Sequence, residues 1–227
     1  MKKLILGFIA SLLCVAWVAE AGTHEENNPR QAGQSSIYFY DLAASDTHGK
    51  GKLMIDLDNH TFVFNGQGFT PSAQIKLSAR AAASSGFVVF ATGKATESGN
   101  LHVAGSWVAG ATPLAVAASY ETISTFGLFN WGGFVVHLAC YYSTDGGVTW
   151  VESVHGEGVA IGGFSSMDFE DLGLPEGALV RIHAVVVGGK DRTGEVYQYS
   201  SYPLRAVNYE IAGFAWNPIL VIVGYWP

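Results

Sequence analysis

Cysteine is nearly absent from this chain of 227 residues, with only Cys14 and Cys140 present. Cys14 falls inside an N-terminal apolar run, so the body of the chain has one thiol and cannot close an internal disulfide. The fold must stand on its hydrophobic core, which a chain of this size can supply. Positive charge is also scarce: 12 Lys and Arg stand against 19 Asp and Glu, a net charge of −7. Such a balance repels phosphate backbones, so nucleic acid is not an expected partner. Helical periodicity is missing after the N-terminus, which excludes parallel α/β folds. No tandem repeat of roughly 20–50 residues is present, so a solenoid or a complete propeller is not expected. The motifs HExxH, paired CxxC and GxSxG are missing too. The sequence therefore supplies no catalytic, cofactor-binding or metal-binding set, and no cofactor is expected.

The chain begins with Lys2-Lys3, an apolar run from Leu4 to Val18, and Ala19-Glu20-Ala21. A basic start, a short apolar middle and a small-x-small triplet make residues 1–21 a secretion signal. The run is too short for a permanent membrane span. The mature chain is expected to begin at Gly22, outside the cell and without an integral membrane segment. The leader carries a net charge of +1, so its removal leaves −8. Residues 22–36 (GTHEENNPRQAGQSS) are polar and aperiodic, as in a disordered arm.

The remainder reads as all-β, in two β-sandwich modules at 37–115 and 120–227. In the first, Lys52–Leu57 and Thr61–Phe64 flank Asp58-Asn59-His60, a hairpin pattern. Further strands are expected at 74–78, 86–92 and 100–107. Residues 108–125 form a candidate junction, within which Leu114–Tyr120 reads equally well as a strand. In the second module, Phe134, Val136, Leu138 and Cys140 share one face by their period of two, which gives the thiol a core position. Strands are also expected at 149–154, 158–164, 178–187, 194–201, 207–212 and 218–224. The run Ile219–Val223 is apolar on both faces, as in a strand covered by layers on either side. It either completes the second module or adds to a neighbouring molecule's sheet.

The sharpest local pattern is Ser143-Thr144-Asp145-Gly146-Gly147-Val148-Thr149-Trp150. Asp145 can accept backbone N–H groups, Gly146 and Gly147 can take positive φ, and Trp150 can pack over the hairpin. The segment resembles the Asp-box hairpin of sialidase-like proteins. There the box lies away from the active site, which implies that Asp145, Gly147 and Trp150 are structural. Asp171–Gly177 ahead of Ala178–Val187 resembles the turn before a central strand in immunoglobulin-like or fibronectin-like sandwiches. That resemblance implies such a fold for the second module.

Candidate chemistry is sparse. His137 and His183 lie on neighbouring expected strands and would share a metal if the register brought them together. Asp56 with Asp58, and Asp168 with Glu170 and Asp171, supply oxygen ligands or turn caps. Trp131 and Trp226 are the best candidates for stacking on a sugar ring. The sequence favours an extracellular adhesion, surface or filament-type protein that self-associates or meets a protein or glycan partner. A carbohydrate-binding module and a secreted hydrolase with an unrecognised site are the alternatives.

Overall fold

The computed structural model describes residues 37–43, 49–82, 85–108, 112–202 and 204–226, with the backbone of 19–20. It is all-β, with no helix among the described residues. The strands of the first half are β1 (Ala19–Glu20), β2 (Ile37–Ala43), β3 (Lys50–Asp56), β4 (Thr61–Gln67), β5 (Gln74–Arg80), β6 (Val88–Lys94), β7 (Leu101–Ser106) and β8 (Ala115–Tyr120). Those of the second are β9 (Thr122–Ile123), β10 (Thr125–Asn130), β11 (Val136–Ser143), β12 (Val151–Glu152), β13 (Gly158–Val159), β14 (Phe164–Asp168), β15 (Leu179–Val186), β16 (Arg192–Tyr199), β17 (Ala206–Phe214) and β18 (Asn217–Trp226). Of the expected leader and arm, only Ala19–Glu20 lies within the described residues. Its backbone pairs with Val116 and Ala115.

Alternation builds the first sandwich. Leu53 and Ile55 on β3 and Phe62 and Phe64 on β4 point inward, while Lys52 and Thr61 point out. The sheet β2-β3-β4-β7 packs these side chains against Ile75, Leu77, Val116 and Tyr120 of the sheet β1-β8-β5-β6. In the second sandwich, the sheet β14-β10-β17-β18 faces the sheet β12-β11-β15-β16-β9, with β13 also on β11. Phe126, Leu128, Val207 and Tyr209 meet Val136, Cys140, Ile182 and Tyr197 across this core.

The stretch 108–125 is not a free junction. Its small alanines form β8, which pairs with β5 from Ile75 to Arg80. The chain changes sandwich over the next few residues. Ser124 separates β9 from β10, and the two strands lie in different sheets. Backbone bonds also cross between the sandwiches: Val196 donates to Ser72, Glu121 to Gln74 and Gln198 to Glu121. Glu121 is buried there and ion-pairs with Arg205. Lys94 pairs with Glu195 at 2.8 Å. Burial, helped by the charge of Arg205, holds the Lys76 ammonium below its usual range.

Two expected strands are shorter than their sequence patterns. The segment 149–154 keeps only β12, because the turn before it extends to Trp150. The segment 158–164 splits around a turn at 161–162, where Gly162 takes φ 78°.

Candidate functional site

Four connections meet at one end of the second sandwich. Trp131 N–H donates to Ile211, Gly162 to Asn130, Val187 to Val135 and Lys190 to Ala215. Asn130 is fully buried beneath them. Its side-chain amide donates to the Phe134 and Val159 carbonyls and accepts from Gly132 N–H. Backbone polarity is thus satisfied internally, and apolar side chains are left facing solvent. Trp131 is 53% exposed, Phe214 65% and Trp216 73%. Phe214 and Trp216 stack on each other with centroids 5.0 Å apart and planes 3° apart. Ile161 and Val187 are exposed on the same connections.

This apolar end continues along β18. The strand pairs with β17 in antiparallel register from Phe214–Asn217 to Ala206–Trp226, with one irregularity at Asn208/Tyr209. Among the described residues it is the last strand of its sheet. Leu220 and Ile222 pack on the core, but Ile219, Val221 and Val223 are exposed. The expectation of a strand covered on both faces is corrected here: in a two-layer sandwich each strand has a single layer to lie against, so one face of β18 meets the core and the other meets solvent. Trp226, exposed beyond Gly224, pairs with Ala206 at the far end of β17 from Trp131. The two tryptophans expected to stack on ligand therefore do not share a site. Phe214 and Trp216, at the end of β17 where Trp131 N–H meets Ile211, lie at the same end of the sandwich as Trp131. The signal for them was the sequence Gly213-Phe-Ala-Trp-Asn217, a glycine-led turn holding two aromatics.

The Asp145 turn closes on itself. Asp145 Oδ1 accepts from Ser143 Oγ at 2.7 Å, Thr149 N at 2.9 Å and Val148 N at 3.1 Å. The Thr149 amide and the Ser143 hydroxyl hold its carboxyl down to about 2. Gly146 and Gly147 take φ of 75° and 91°. The turn abuts the first sandwich: Thr70 Oγ1 donates to the Gly146 carbonyl at 3.4 Å, and a Cβ on Gly147 would lie 3.0 Å from Thr70 Cγ2. Trp150 stacks on Arg181, 4.5 Å from guanidinium to ring, and packs against the first core. Arg181 in turn covers Tyr141, which stacks on His183 at 4.6 Å.

His137 and His183 are on one sheet face but out of step. His137 pairs with Val185, and His183 with Ala139. His183 Nδ1 instead donates to Glu152 Oε1 at 2.5 Å, and its Nε2 lies 3.7 Å from Asp191. His155 Nε2 donates to the same Glu152 oxygen at 3.1 Å. Burial pushes the Glu152 carboxyl up, but the bonds from His183 and His155 outweigh it and hold the group below its usual range. His137 Nδ1 donates to the Gly156 carbonyl. Among the described residues, no three His, Cys, Asp or Glu side chains surround a point that a metal ion could occupy. Neither Glu152 nor His155 carries a periodic signal, since β12 is only two residues long and His155 follows it in irregular chain.

The other candidates are occupied locally. Asp56 accepts from the amides of Asp58 and Asn59 and from the Asn59 side chain, capping the β3–β4 turn. Asp168 accepts from Glu170 N. Cys140 is fully buried, and burial raises its thiol to about 11 against the opposing Ser153 bond.

No family model and no curated protein matches the chain by sequence. Among solved structures it is similar to pneumolysin at TM-score 0.27 and 9% identity, covering 82% of this chain and 49% of that one. It is similar to listeriolysin O at TM-score 0.26 and 11% identity, covering 82% and 48%. Suilysin from Streptococcus suis matches at TM-score 0.25 and 10% identity, covering 83% and 50%. The chain spans about half the length of these structures. The likeness is too remote to bear on function. No helix among the described residues is long and apolar enough to cross a membrane.

Proposed function

We propose that this is an extracellular binding or structural protein that acts by assembly rather than turnover, with β18 as the assembling strand. One observation carries the reading: β18 is ten residues long, outermost in its sheet, free of charged side chains, and apolar on its solvent face. Such an edge pairs readily with another strand, and proteins that stay monomeric usually blunt it with charge or brevity. A second copy of this chain fits it. An uncharged strand can lie antiparallel to itself without placing like charges opposite each other. Sedimentation velocity over a wide dilution series tests the proposal. Species larger than the monomer that dissociate on dilution support it, and a monomer throughout refutes it.

A second reading, glycan binding, draws on the grouping of Trp131 with the stacked Phe214 and Trp216. Aromatic faces of this kind suit the apolar faces of sugar rings. Trp131→Ala would then abolish binding on a glycan array, whereas the assembly reading leaves it without effect there.

A further inference from the structure

The first sandwich holds a cleft that the assembly reading does not use. β5 ends at Arg80, β6 begins at Val88 and β7 ends at Ser106, and a cavity of about 480 Å³ opens between these strand ends. That volume falls within the range of roughly 300–1,000 Å³ usual for small-molecule sites. Its walls are apolar: Val88, Val89, Phe90, Trp107, Val108 and Pro113. The floor is fixed, because Phe90 meets Trp107 edge-on at 5.1 Å and Phe62 at 5.0 Å within the core. The backbone at the mouth is fixed too, since Leu114 N–H donates to the Arg80 carbonyl at 2.9 Å.

Arg80 is the one charged residue of the lining. Its guanidinium lies 5.3 Å from the centroid of the Phe87 ring, and its Nε is buried without a hydrogen-bond acceptor among the described residues. That Nε is closed to solvent and to the cleft alike, so a ligand could reach the guanidinium only through its two terminal nitrogens, which have no carboxylate partner among the described residues. A carboxylate offers the planar pair of acceptors that a guanidinium fork matches. The apolar walls offer nothing to a polar body but can cover a hydrocarbon chain. We propose that this cleft binds a fatty acid or a similar amphipathic carboxylate, with the head group on Arg80 and the chain against Val88, Phe90 and Trp107.

Calorimetric titration of the full mature protein with monomeric laurate, and with dodecanol as the uncharged analogue, tests this. Laurate is expected to bind one to one. Dodecanol is expected to bind about ten- to a hundredfold more weakly, the weight of a hydrogen bond to a charged group. Arg80→Gln should bring laurate down to the level of dodecanol. If that variant does not fold, the laurate–dodecanol ratio on the wild-type protein still decides. Absence of laurate binding, or equal affinity for the two ligands, overturns the proposal. Repeating the titration on Val221→Lys separates it from assembly, because the cleft should bind equally well whether or not β18 pairs.

Discussion

The two edges of one sheet in the second sandwich differ sharply. β14 is five residues long, carries two serines and ends at Asp168, whose carboxylate caps the following turn. β18 is twice that length and has no charged residue. Both edges pack an apolar inner face on the same core, through Met167 on β14 and Leu220 and Ile222 on β18. Stability therefore does not distinguish them, and the difference lies in what each shows to another molecule. A short, polar edge ending in a carboxylate discourages strand addition, whereas a long apolar edge invites it.

The largest effect that would break this comparison is removal of β18. Deleting residues 218–227 uncovers Val207, Tyr209 and Ile211 on β17. The cooperative thermal transition of the second sandwich should vanish, with aggregation, as followed by circular dichroism. A folded but assembly-deficient monomer would instead mark β18 as a strand held for a neighbour.

Single substitutions sharpen the contrast between its two faces. Ile222→Ala on the inner face should cost about 1–3 kcal/mol in denaturant unfolding, less than a fully buried site because Ile222 is only partly covered. Val221→Thr on the outer face should stay within about 0.5 kcal/mol. Equal costs would mean that both faces are covered in the monomer.

Asp145→Ala should lower Tm by about 2–4 °C, the range in which a modest local loss registers for a chain of this size. The acid dependence has a defined sign. The folded carboxyl sits at about 2 against an ordinary 3.8, so its contribution is present above the higher value and is lost as pH falls through the lower one. The variant should therefore differ from wild type at neutral pH and converge with it near pH 2. Loss of binding at unchanged Tm would give the turn a role beyond structure.

The smallest effect expected is at Cys140. Its buried thiol, raised to about 11, should not react with a thiol reagent in the native protein and should react fully on unfolding. Labelling under native conditions would contradict the core position that parity assigns to it.

Period-two patterning was enough to read the all-β class, the β3–β4 hairpin and the inward face of Cys140, because each rests on neighbours in sequence. Asp145 was legible for the same reason, as all its partners lie within four residues. Sheet position was not legible. Whether Ile219–Val223 is covered on one face or two depends on how many layers pack on its sheet, and its place at the edge is set by pairing with β17; composition encodes neither. The grouping of Trp131 with Phe214 and Trp216 depends on the parallel pairing of β10 with β17, which joins segments about eighty residues apart. The bond from His183 to Glu152 likewise crosses from β15 to β12 over β11, a relation that no local pattern encodes.

The most direct test of the central claim compares wild type with Val221→Lys by sedimentation velocity across one dilution series. A lysine on the solvent face places like charges together in a self-paired edge while leaving the inner face untouched. The account predicts assemblies in the wild type that are lost in the variant, with Tm unchanged. Assemblies of the same size and stability in both proteins would contradict it.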